Sequence, residues 1–342
     1  MKKILALLSL VLLLVSCGKD EQANKNVLYL YGWADYVPAE IYEGFEKETG
    51  IKVIEDIYSS NEEMFAKIKA GGTGYDILTP STDYAEILMN DGAIEKLDKS
   101  KLPTMKNIDP MVLEKLQYFD KNNDYAIPYV MGATAIAVNT KYVKDFPRDY
   151  SIYSQEQYQG KMTLLDDMRE VMTSALGMNG YPQTTNDEQA IAQAAELAKS
   201  WKKNIAKFDS ESFGKGFANE DFWVVHCYPE NVLTELTPEQ LAHTEIVIPE
   251  KGGTSYIDSF VIPKTAPNKE AAYKFLDYIH RPENYKIIAE HLSLPSINVP
   301  ARELITVAPM YPIEALNNTV ILRDIKDTLD LQNKYWQEVL VD

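Results

Sequence analysis

Carboxylates and aromatic rings recur together at four places where a predicted strand gives way to a turn or helix. "GWADYVP" supplies Trp33, Asp35 and Tyr36, and "LTPSTDY" supplies Ser81, Thr82, Asp83 and Tyr84. "LLDDMRE" supplies Asp166, Asp167 and Glu170, and "SYIDSF" supplies Tyr256 and Asp258. Ligands of α/β sheets bind at the carboxyl ends of strands. Acids and rings with few bases among them suit a linear polyamine, a methylene chain with ammonium groups along it. Each buried ammonium needs a carboxylate, because an unpaired buried charge costs about several kcal/mol. Aromatic faces suit the methylenes and attract ammonium, at about 0.5–2 kcal/mol each. Every one of these residues also has a purely structural use. Ser81, Thr82 and Asp83 suit a helix cap, as does Asp166, while Asp167 and Glu170 sit three apart on one helical face. Asp258 suits a turn and Trp33 a core. It is the recurrence at successive strand ends that favours a ligand.

The elements that must hold these residues alternate. "VLYLYGW" reads as a strand and "VPAEIYEGFEKETG" as a helix, with Ile41 and Phe45 on one face and Gly50 as its stop. "IKVIEDIY" is a second strand, "NEEMFAKIKAGG" a helix capped by Asn61, "YDILTPS" a third strand and "TDYAEILMNDG" a third helix. This order predicts a parallel sheet covered on both faces. Two long β passages, Tyr125 to Asn139 and "GGTSYIDSFVIP", separate a second α/β region from the first. "NKEAAYKFLDYIHRPENYKIIAEH" then gives two helices broken at Pro282. A chain that crosses between lobes and returns makes a hinged cleft. The expected division is 27–133 with 258–301 in the first lobe, and 134–257 with 302–342 in the second.

The N-terminus reads as an export signal. Lys2 and Lys3 precede an apolar run from Ile4 to Val15, too short to span a bilayer with ease but suited to a signal peptide. It closes in "LVSC", which resembles the lipobox of bacterial lipoproteins, whose Cys is diacylated by palmitate-type chains. Cys17 is therefore the expected anchor, followed by a polar tether to residue 26. That leaves Cys227 without a partner, beside Trp223 and Val225, as a small core residue. With 51 acidic and 34 basic residues the net charge is −17, and −19 once Lys2 and Lys3 leave with the signal. Such a surface lacks the basic footprint of a nucleic-acid partner and favours cations.

Signatures of catalysis are missing. No G-x-S-x-G, H-E-x-x-H, Walker loop or dinucleotide fingerprint occurs. The histidines, His226, His243, His280 and His291, are too widely spaced for a metal pattern, and His280 and His291 are expected on surface helix faces. No enzyme activity, cofactor or metal is expected.

In sequence order, "YGWADYVPAEIYEGFEKETGIKVI", "YDILTPSTDY", "LDKSKLP", "NNDYAIPYVMGATAIAVN", "LLDDMREV" and "YIDSFVIP" resemble the spermidine/putrescine-binding proteins of bacterial polyamine ABC importers. The likeness covers nearly all of the chain beyond the signal. It implies a two-lobed type II periplasmic-binding fold, a monomer in the periplasm or on the outer face of the cell membrane, and delivery of polyamine to an inner-membrane permease with its ATPase. Position by position, it implies that Trp33 and Tyr36 clamp the ligand, that Asp35 is the acid of the putrescine-specific branch, and that Ser81 is a polar contact. It implies ligand acids at Asp167 and Glu170, an aromatic wall at Tyr256 and the central amine-binding carboxylate at Asp258. Four positions depart from the pattern. Asp83 and Leu294 stand where the spermidine branch has rings. His226 falls at the second-lobe tryptophan unless a slip of three restores Trp223, and it would tie affinity to pH. Arg323 stands about where a glutamine contact is common. Another small solute in the same fold, its anionic part held by Arg323 and His226, remains an alternative. So does a surface lipoprotein acting as adhesin or sensor.

Overall fold

The computed structural model describes residues 26–323, 325 and 328–341. Cys17, the signal segment and the tether to residue 25 lie outside the described residues. The alternation read from the sequence is present. β1 (Val27–Trp33) pairs in parallel with β2 (Lys52–Tyr58) on one side and with β3 (Ile77–Leu78) on the other. Successive side chains of a strand point to opposite faces. Leu28 and Leu30 accordingly enter one core and Tyr31 another, populating both faces of the sheet.

The helix Ala39–Thr49 buries Ile41 and Phe45, each worth about 1.5–3 kcal/mol. It ends at Gly50, whose φ of 70° is the left-handed conformation that such stops favour. The helix Asn61–Lys69 is capped by Ser60, whose hydroxyl accepts from the Glu63 amide, and not by Asn61. Asn61 is instead the first helical residue, and its side-chain carbonyl accepts from the Ser81 amide at 3.1 Å, bracing the end of the neighbouring strand.

β4 (Ile127–Ala133) and β5 (Ala135–Asn139) form the first long β passage, with Thr134 alone between them. β5 joins β6 (Met162–Leu164), β7 (Ile205–Phe208), β8 (Val224–Cys227) and β9 (Thr244–Val247) in a five-stranded sheet of order β7-β6-β8-β5-β9. The chain then returns through β10 (Thr254–Phe260), which pairs antiparallel with β4 and in parallel with β11 (Val320–Ile321). A bridge from Leu78 to Val261 links this group to β3. Two lobes result. Ile136 and Val138 face the second lobe's inner core, where Trp336 and Val339 of the C-terminal helix Leu329–Val341 also lie. Between residues 302 and 321 the chain touches the first lobe. The Ala133 amide donates to the Tyr311 hydroxyl at 3.1 Å, and Lys115 Nζ to the Thr319 carbonyl at 2.8 Å. The helices Lys269–Ile279 and Pro282–Leu292 divide at Pro282 as read.

His280 departs from the reading. It is buried, with one ring nitrogen on the Leu276 carbonyl and the other on that of Pro128, both at 2.8 Å. It is the residue that ends the helix Lys269–Ile279, and its ring turns inward to bond β4 rather than outward to solvent. Cys227 is buried as expected, its Sγ 3.6 Å from the Ala135 carbonyl.

Candidate functional site

A cleft of about 1060 Å³ opens between the lobes, and the four strand-end motifs converge on it. On the first lobe, Asp258 is central. Asp258 lies in β10 opposite Val130 of β4, and the residue is 5 % exposed. Oδ2 accepts the Tyr36 phenol, while Oδ1 is shielded from solvent and makes no hydrogen bond. Burial pushes the Asp258 carboxyl up to about 6, against the pull of the Tyr36 and Ser81 hydroxyls and with a further push from Asp83. Burial, with Asp258 beside it, drives the Tyr36 phenol well above its ordinary range, so it remains a donor. A buried acceptor without a donor costs about 1–3 kcal/mol, which an ammonium would recover.

Rings frame this carboxylate. Tyr36 meets Tyr129 edge-on at 5.5 Å, and the Tyr129 hydroxyl donates to the Tyr36 carbonyl at 2.8 Å. Trp33 meets Tyr58 at 4.6 Å and 63°. Tyr256 lies across Gly132, its cross-strand partner in β4, and a Cβ there would sit 2.3 Å from the phenol ring. Ser81 precedes the helix Thr82–Asn90 but its hydroxyl makes no capping bond, leaving it to the cleft. Asp83, half-buried in the first turn, is raised by burial and drawn down by the Tyr84 amide and by Arg169.

The second lobe contributes the N-terminus of the helix Met168–Met178. Here Asp167, and not Asp166, is the cap: its Oδ1 accepts from the amides of Arg169 at 2.8 Å and Glu170 at 3.1 Å. Asp166 is exposed. Glu170 is 3 % exposed, and burial together with Asp167 pushes its carboxyl up to about 7. Its Oε2 accepts from the hydroxyls of Thr134 and Thr254.

Glu230, Tyr228 and Arg169 are among the lining residues that escaped the sequence reading. Glu230 presents a solvent-shielded Oε2 without a hydrogen bond, and burial pushes it up to about 7. Tyr228 meets Tyr256 at 6.3 Å and 61° as part of the same wall. Arg169 lines the cleft, with its Nη2 donating to the Arg323 carbonyl at 2.6 Å. Pro229 starts a short helix with Glu230 in its first turn, and that acid lines the cleft.

Two expected residues lie elsewhere. His226 is fully buried in β8 behind Glu170, with Nε2 2.9 Å from the Tyr150 hydroxyl and 4.0 Å from Glu170 Oε2. Burial lowers its pKa to about 3, so it is neutral near pH 7. The inward-pointing residue of a short strand enters the lobe core rather than the cleft. Arg323 is exposed and lays its guanidinium over Tyr118, 4.1 Å from the ring centre. Trp223 does not take the place of His226 either, since it stacks on Tyr142 at 4.7 Å. Leu294 is buried in the lining. Asp35 is at the rim, with φ of 59° and a side chain 95 % exposed. Among the described residues no group of three or more His, Cys, Asp or Glu side chains could hold a metal ion.

Residues 40–308 match the family of bacterial extracellular solute-binding proteins. Over 326 residues the chain is 36 % identical to the spermidine/putrescine-binding periplasmic protein of Escherichia coli, covering 92 % of each chain. It is 32 % identical over 300 residues to that organism's putrescine-binding periplasmic protein PotF, covering 83 % of this chain and 81 % of that one. Among solved structures, the TpPotD lipoprotein of Treponema pallidum is similar with a TM-score of 0.86 and 37 % identity, over 92 % of this chain and 99 % of that one. These relatives are solute-binding proteins and not enzymes. With most of its length matched in sequence and fold, the chain belongs to the bacterial extracellular solute-binding protein family.

Proposed function

We propose that this protein is an extracytoplasmic polyamine-binding lipoprotein that captures putrescine or spermidine between its lobes and delivers it to an ABC permease. The observation that carries the reading is Asp258. Its carboxylate is buried, one oxygen is held by Tyr36, and the other is unsatisfied in a cleft walled by rings. Glu170 and Glu230 offer further carboxylates on the opposite lobe for the other ammonium groups. Relatives named for binding spermidine and putrescine support the same ligand class. The two residues expected to hold an anionic part, Arg323 and His226, are outside the lining, and the cation that does line it, Arg169, is outnumbered there by carboxylates. Lipid at Cys17 would hold the monomer at the membrane face, close to the permease and its ATPase.

The test is calorimetric titration of the chain from residue 18 onward, unfolded and refolded beforehand to strip any carried ligand. Putrescine, spermidine and spermine are titrated in turn, with arginine as control. One-to-one binding of a polyamine at micromolar affinity or tighter supports the reading, and absence of heat with all three removes it.

A further inference from the structure

Glu170 is a cleft-lining acid attached to both segments that cross between the lobes. Its Oε2 accepts the Thr134 hydroxyl at 3.0 Å and the Thr254 hydroxyl at 2.5 Å, and those hydroxyl oxygens are 2.5 Å from each other. All three residues are buried. Thr134 is the single residue between β4 and β5, and Thr254 is the first of β10. They mark the two points where the chain passes from one lobe's sheet to the other's.

The helix that carries Glu170 is fitted to the same passage at its far end. A Cβ on Gly177 would lie 2.7 Å from the Gly252 Cα, and one on Gly252, where φ is 73°, would lie 2.6 Å from the Ser174 carbonyl oxygen. Helix Met168–Met178 therefore grips the crossing segment twice, by the Glu170 carboxylate and by a glycine contact. The groups facing Glu170 are Asp167 and Arg169 from its own helix, His226 from β8, and the Tyr150 and Tyr228 phenols. Hydrogen bonds to an ionised acceptor are about twice as strong as those to a neutral one. An ammonium that holds Glu170 ionised thus tightens its grip on both crossing strands at once.

We propose that Thr134 and Thr254 are positioning residues that fasten Glu170 to both interlobe strands, so that amine capture at Glu170 sets the relative placement of the lobes. The ligand in this proposal rests on the polyamine reading, but the fastening does not. The test compares the wild type with T134V/T254V, which keeps the shape and loses the hydroxyls, and with T134S/T254S, which keeps the hydroxyls. Spermidine and putrescine affinities are measured by calorimetry. Hydrogen exchange of residues 132–136 and 252–256 is followed without ligand.

The expected result for T134V/T254V is affinity weaker by about ten- to a hundredfold and exchange faster by about tenfold at both segments, with the serine pair restoring both. Wild-type affinity and wild-type exchange in the valine pair would overturn the proposal. So would a serine pair as impaired as the valine pair, because the methyl groups and not the hydroxyls would then matter. If the double valine variant does not fold, T134V and T254V are read singly by the same criteria. A wild type that binds no polyamine defeats the functional reading alone, and the exchange measurement still decides the fastening.

Discussion

The Tyr36 phenol donates to the Asp258 carboxylate, joining the turn after β1 to a strand 222 residues further along the chain. One oxygen of the acid is thereby fixed in place and the other is left to the cleft. Removing the charge while keeping the shape isolates what the acid does. Asp258→Asn is expected to weaken polyamine binding by about a hundredfold or more, the cost of depriving a buried ammonium of its partner. In the ligand-free protein the same change should raise the melting temperature, since an under-satisfied buried carboxylate has been removed. Calorimetry and a thermal scan read the two effects; a variant that binds at wild-type strength would remove Asp258 from the site.

The pH dependence follows from carboxyls raised by burial. Asp258 is pushed up to about 6, and Glu170 and Glu230 to about 7, whereas in the unfolded chain such groups titrate near 4. Between those values the folded state binds more protons than the unfolded state, so these acids lower stability as pH rises from about 4 to 7. The prediction concerns the melting temperature of the ligand-free wild type relative to D258N/E170Q/E230Q: it should decline across that window. Polyamine affinity should run the opposite way, rising from pH 5.5 to 8 as the carboxylates ionise while the ammonium groups stay charged. His226→Gln should keep that slope, because His226 is neutral throughout. A slope abolished by H226Q would return the pH sensing to the histidine.

Gly132 is a sharper test of the aromatic wall than Tyr256 itself. A Cβ at 132 would fall 2.3 Å from the Tyr256 ring, so Gly132→Ala must push the ring off the β4 backbone. Overpacking of this kind costs about 1–3 kcal/mol of stability. Affinity for polyamine should fall with it, and G132A that binds normally would show that the ring's position is unimportant.

Arg169 and Arg323 separate cleanly. Arg323 stacks on Tyr118 outside the lining, so Arg323→Ala should leave polyamine affinity within about twofold, the range of surface substitutions. Arg169 lines the cleft and lowers the Asp83 carboxyl, so Arg169→Met should alter affinity measurably. The reverse ranking in a titration would place Arg323 in the site.

The strand ends were legible because acids and rings recur together there and stand out against aliphatic strands. Trp33, Tyr36, Ser81, Asp83, Asp167, Glu170, Tyr256 and Asp258 all line one cleft. Glu230 was hidden by its place beside Pro229, where an acid in a first helical turn has an ordinary explanation. His226 misled for the opposite reason. Register along β8 is fixed by pairing with β5, and that pairing turns His226 into the lobe while Tyr228, past the strand end, meets Tyr256. No local pattern distinguishes those faces. The cap at Asp167 rather than Asp166 is likewise a difference of one residue that only backbone geometry decides.

The pairing of β4 with β10 also orders events in time. β5 to β9 form a contiguous run and can assemble into their own sheet, but β4, buried along its whole length, finds its partner only after that entire run has emerged. Pairings so distant along the chain are slow to close and leave strand edges open meanwhile. The sheet of the second lobe is therefore free to form before β4 finds β10, and the helix Leu329–Val341 closes over its core later still. Asp258 sits in the strand that β4 waits for, so ligand affinity appears only after that distant pairing. A chain that binds has already paired β4 with β10, and one still emerging leaves the edges of β4 open until β10 arrives.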